Sequence, residues 1–159
     1  MKNKVENLNR TFIFESCLEQ IGSHKHYAEL KEYVQHGNTS VYEHSVRVAY
    51  CSLRTAELLG IISHKEELIR GALLHDYFLY DWHEKDKSHR LHGFKHPYEA
   101  LKNAESDFEL STRERNIIVR HMFPLVPIPP NCMEGWIVCL VDKYCSFIET
   151  FNYRIRRSR

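Results

Sequence analysis

The dipeptide His75-Asp76 closes the apolar run L-I-R-G-A-L-L-H-D-Y and constrains how this chain can fold more than any other feature. The run reads as a buried helix, yet it ends on two ionisable side chains. An unpaired ionisable group is costly to bury, so the rest of the fold must supply a partner. His44 upstream and His96, His121 and Asp142 downstream are the candidates. His44, His75, Asp76 and Asp142 each fall on or beside an apolar helical face. So many intrusions into one core point to a shared partner, and mixed imidazole and carboxylate donors suit divalent iron, manganese or zinc. The chain carries 11 histidines in 159 residues, so an adjacent His-Asp pair would signify little without this placement.

The pattern along the chain is all-α. Ser40 with Glu43, Ser63 with Glu66, and Ser111 with Glu114 each fit a capping box, in which side chain and backbone satisfy orphan amides reciprocally. After Ser40, one stripe carries Val41, His44, Val48, Cys51, Thr55 and Leu58, and Gly60 is a natural stop. The next helix, from about Lys65, places Leu68, Ala72 and His75 together, with Ile69, Leu73 and Asp76 beside them. Neighbours on a helix are about 100° apart, so His75 and Asp76 flank one direction and can reach a common ion.

A polar stretch over residues 80–95 follows, long enough to predict a functional loop, with Tyr80, Trp82 and Lys95 as contacts that choose the substrate. His96-Pro97 predicts a helix start, since proline suits the first helical position. After Ser111, Ile117, Ile118 and His121 share a face that ends at Pro124. The last helix begins near Asn131 or Cys132, with Met133, Ile137, Leu140, Tyr144, Phe147 and Phe151 as its apolar stripe and Asp142 at the edge. Residues 1–39 predict two further helices, over F-I-F-E-S-C-L and Y-A-E-L-K-E-Y-V, packed on the main domain at 40–152. Residues 153–159 read as a basic, solvated tail.

A chain of 159 residues supports one domain with a proper core. With 22 basic and 21 acidic residues there is no global field to attract nucleic acid or a membrane surface. The N-terminus lacks an apolar signal region and no stretch approaches membrane-spanning length. Five cysteines, odd in number and without a CxxC pair, fit a reduced, cytoplasmic setting. No Gly-rich phosphate loop, nucleophile elbow or dinucleotide fingerprint is present.

The order H…HD…H…H…D over residues 40–150 resembles the HD superfamily of metal-dependent phosphohydrolases. The resemblance implies a single HD-domain helical bundle of about six to seven helices. It also implies a minimal metal site of His44, His75, Asp76 and Asp142, with His75 and Asp76 at the centre of catalysis. Superfamily members with two metals add two histidines, and H-P-Y-E-A and V-R-H-M match those segments at His96 and His121. His92, in L-H-G, is the rival for His96; a helix start is the more rigid position.

The implied substrate is a nucleotide or other small phosphorylated metabolite, its phosphate held by Arg47, Lys95 and Lys143. The chain lacks the G-Y-P signature of the cyclic-di-GMP branch, which argues against that substrate. Two alternatives stay open. Some members with the same ligands are dinuclear iron oxygenases, and a non-catalytic binding module could retain the metal as a staple.

Overall fold

Two serines start two of the helices that carry the site. In the computed structural model, which describes residues 2–80 and 92–157, the Ser40 hydroxyl accepts from the Glu43 amide and Glu43 accepts in return from the Ser40 amide. This box opens α3, Val41–Leu58, which ends before Gly60 at φ 72°. Ser111 and Glu114 form the same box at α6, Thr112–Arg120. Ser63 does not: the helix α4, Lys65–Leu74, is preceded by His64, whose ring pairs with Glu67 instead.

The remaining helices are α1, Lys2–Gly22; α2, Lys25–Glu29; α5, His92–Asp107; and α7, Met133–Arg157. Among the described residues the architecture is all-α apart from one small antiparallel hairpin, β1 (Val34–His36) and β2 (Thr39–Ser40). No described helix is long and apolar enough to cross a membrane. All five cysteines are free.

The short helix α4 is the hub. Leu68, Ile69, Ala72, Leu73 and Leu74 are fully or almost fully buried, and α1, α3, α5, α6 and α7 all pack around them. His75 and Asp76 therefore emerge at the end of a helix enclosed by five others. Tyr77 and Phe78 continue the burial beyond them.

Several expectations need correcting. Of the segment Y-A-E-L-K-E-Y-V only residues 27–29 are helical, as the end of α2; a turn follows, and the hairpin begins only at Val34, turning at Gly37-Asn38 with Gly37 at φ 64°. Four residues of the expected loop, His92 to Lys95, already belong to α5, so Pro97 lies inside that helix rather than at its start. The rest of the loop beyond Tyr80, with Trp82, lies outside the described residues. Helix α7 runs on through Arg157, into the expected tail. Its core face is also rotated. Ile137, Val138, Val141 and Cys145 point inward, whereas Leu140, Tyr144, Phe147 and Phe151 are half or more exposed. Two apolar arcs compete on this helix, and the inner one is the arc that carries Asp142.

Helix α4 tolerates no bulk where it crosses α6. A Cβ on Gly71 would sit 2.8–3.0 Å from three side-chain atoms of the fully buried Ile117. Gly71→Ala should therefore lose about 1–3 kcal/mol to overpacking, despite alanine's better helix propensity. Thermal melting of chelator-treated protein checks this; an unchanged or raised melting temperature would show that the crossing has room.

Candidate metal centre

Five elements deliver the six residues singled out above to one place. His44 comes from the first turn of α3, His75 caps α4 with Asp76 just beyond it, and His96 lies near the start of α5. His121 caps α6, and Asp142 sits on the inner arc of α7. All six are buried, at 7% exposure or less.

They form two groups that share one residue. In each group the candidate ligand atoms lie within 4.8 Å of one another: His44, His75, Asp76 and Asp142 in the first, Asp76, His96 and His121 in the second. Asp76 divides its oxygens between them. Its Oδ2 is 3.3 Å from His75 Nε2 and 3.8 Å from His44 Nε2. Its Oδ1 is 3.2 Å from His96 Nε2 and 3.4 Å from His121 Nε2. Asp142 Oδ1 completes the first group, 3.1 Å from His44 Nε2 and 3.6 Å from His75 Nε2.

The backbone and one further carboxylate orient the rings. His75 Nδ1 is 2.7 Å from the Ala72 carbonyl, and His121 Nδ1 is 2.6 Å from the Ile118 carbonyl. A carbonyl only accepts, so both Nδ1 atoms carry hydrogen and the neutral rings aim a lone pair from Nε2 at the cluster. His44 Nδ1 donates to Glu149 Oε2 at 2.9 Å and is set the same way. Glu149 is buried and receives Arg47 at 2.7 Å. Sequence reasoning missed Glu149, which falls seven residues after Asp142 on the same face of α7.

This arrangement fits a cation and little else. Imidazole lone pairs face carboxylate oxygens, and both His75 Nε2 and Asp76 Oδ1 are buried without a hydrogen-bond partner. His96 and His121 bring their Nε2 atoms to 2.9 Å. Only a proton or a metal ion between such acceptors relieves the repulsion. Without metal, protons take that place. Burial acts to lower the His44 pKa, but its bonds to Asp142 and Glu149 prevail and raise it to about 9. His75 is likewise held well above the ordinary value, against its burial, by Asp76 and Asp142. Burial pushes the Asp76 and Asp142 carboxyls upward, but the surrounding histidines hold both well below the usual range. For His121 burial prevails and lowers the value.

The sequence comparison agrees with the geometry. The model of the HD domain family matches residues 41–146, about two thirds of the chain. This chain belongs to the HD domain family. HD domains bind divalent metals and are mostly metal-dependent hydrolases. Neither the curated proteins nor the solved structures contain a significant match.

Around the centre, the three cations expected at the substrate have different fates. A cavity of about 710 Å³ opens over the cluster, walled by Met122, Pro124 and Leu125 as well as by Asp76, His96, His121 and Asp142, and Lys143 lines it. The Lys143 ammonium is anchored on the His121 and Cys139 carbonyls, at 2.9 and 3.1 Å. Arg47 is not in this lining and supports Glu149 instead. Lys95 is exposed on α5 and also outside the lining. A third triad, His24, His26 and Asp107, brings its ring nitrogens and carboxylate within 4.8 Å of one another beside the Tyr77 hydroxyl. There the carboxylate is already satisfied, by the Tyr77 hydroxyl at 2.7 Å and His26 at 2.8 Å.

The sign of the pH response follows. A histidine raised from about 6.5 to about 9 stabilises the fold fully below pH 6.5 and loses that contribution as pH climbs to 9. The lowered aspartates contribute above about pH 3.8 and lose their contribution only as pH falls below it. Chelator-treated HD domain should therefore melt at falling temperatures from pH 6.5 to pH 9. Saturating divalent metal should remove the decline, because ligation favours the deprotonated ring. Parallel melting profiles with and without metal would contradict this account.

Proposed function

We propose that this HD domain is a dinuclear metal-dependent phosphohydrolase acting on a nucleotide or other small phosphorylated metabolite. The observation that carries the reading is the division of Asp76, with one oxygen in each ligand group. His44, His75 and Asp142 would hold one ion, His96 and His121 the other, and Asp76 would serve both. The donor set suits iron, manganese or zinc. Bound there, such ions polarise phosphoryl oxygens and make hydroxide available at neutral pH.

The chain's own residues supply the rest. Ala72, Ile118 and Glu149 keep hydrogen on the Nδ1 atoms, so each ring meets the site with a basic Nε2. The cavity above has the volume of a metabolite site, and Met122, Pro124 and Leu125 give it an apolar wall beside the position a phosphoester would take. Lys143, fixed at the wall by two carbonyls, adds positive potential where a phosphate would dock. Free thiols throughout support a reducing, cytoplasmic setting.

Metal analysis of variants tests the arrangement. Asp76→Ala should remove nearly all bound metal, whereas His121→Ala should leave about half and impair phosphoester hydrolysis strongly, as expected for a shared and an unshared ligand. Elemental analysis after dialysis reads both. Wild-type protein that never binds more than one manganese or iron per chain would exclude the dinuclear reading; unchanged metal in Asp76→Ala would exclude the site.

A further inference from the structure

Gln35 lies ahead of the residues that match the family, on a hairpin the sequence pattern did not predict. Its side chain nevertheless reaches the most contested carboxylate in the molecule: Nε2 donates to Asp76 Oδ2 at 2.6 Å. The residue is 6% exposed and lines the cavity over the ligand cluster.

The contact is held from several sides. A Cβ on Gly37 would come within 2.6 Å of Tyr153, so the hairpin turn is docked directly on α7. The Val41 amide donates to the Tyr33 carbonyl at 2.8 Å, and the Tyr42 amide to the Leu30 carbonyl at 3.2 Å, tying the chain that enters the hairpin to the start of α3. Asp76 itself sets the orientation of the amide. An ionised carboxylate only accepts, so the NH2 group must face it, and Gln35 Oε1 is left buried without a hydrogen-bond partner. An unpaired buried acceptor costs free energy, and flipping the amide would cost more by setting oxygen against carboxylate. The donor on Asp76 is the interaction the structure keeps.

We propose that Gln35 is a positioning residue for the shared carboxylate. Pinning Oδ2 on the side of His44, His75 and Asp142 turns Oδ1 toward His96 and His121. The inference rests on the dinuclear reading above. Freed from Gln35, Asp76 could rotate, and the ion beside His96 and His121 would suffer most because it has the fewest other protein ligands. The segment ahead of the family match is thereby part of the centre's construction.

Manganese titration of wild type, Gln35→Met and Gln35→Asn, followed by the resonance of free Mn2+, tests this. Methionine keeps the length and burial without the donor; asparagine keeps the amide but is one carbon too short to reach. Wild type should bind two ions. Both variants should bind the first near its wild-type affinity and the second about 10–100-fold more weakly, the usual cost of losing an outer-shell partner. If Gln35→Met fails to fold, judged by melting without metal, Gln35→Asn carries the test. Two ions with wild-type affinities in the variants, or equal weakening of both, would overturn the inference and leave the dinuclear reading standing. A single ion in wild type would overturn that reading, and the inference with it.

Discussion

A buried carboxylate facing the lone pairs of four imidazoles is the constraint on which this molecule is built. Asp76 is 2% exposed, and His44, His75, His96 and His121 all approach it through Nε2. Such a cluster is unstable unless positive charge enters it, as protons or as metal. The helices need not supply that charge. They supply rigidity, so that acceptors meet at ligand spacing instead of rotating away to solvent.

The scaffold fixes each acceptor by an interaction outside the cluster. Carbonyls of the preceding turn hold His75 and His121, and both rings cap their helices. Glu149 holds His44 and is held by Arg47. Gln35 holds Asp76, and Lys143 closes the last carbonyls near His121. Ligand orientation depends on such outer partners nearly as much as on the ligands themselves. The stability of α4 serves the same end, since its enclosed apolar residues fix the backbone from which His75 and Asp76 project.

The buried cluster was legible because it breaks a pattern. His44, His75, Asp76 and Asp142 interrupt apolar faces whose period is clear, and the structure brings all of them together with His96 and His121. Glu149 was less visible: a glutamate on a helix is ordinarily solvated, and its burial depends on which arc of α7 turns inward. That choice could not be read from period alone, since Leu140, Tyr144, Phe147 and Phe151 make the more apolar arc yet face outward. Gln35 is less visible in the sequence, because Gly37-Asn38 is a two-residue hairpin signal flanked by strands, Val34–His36 and Thr39–Ser40, too short to show an alternating pattern. The Ser63 capping box failed because S-x-x-E is a local pattern, and His64 took the position before the helix.

If Asp76 serves two cation positions, anomalous scattering from crystals grown with zinc or manganese will locate both. Two peaks should appear, one among His44, His75 and Asp142 and one beside His96 and His121, each in contact with a different oxygen of Asp76. A single peak, or metal bound away from Asp76, would contradict the account.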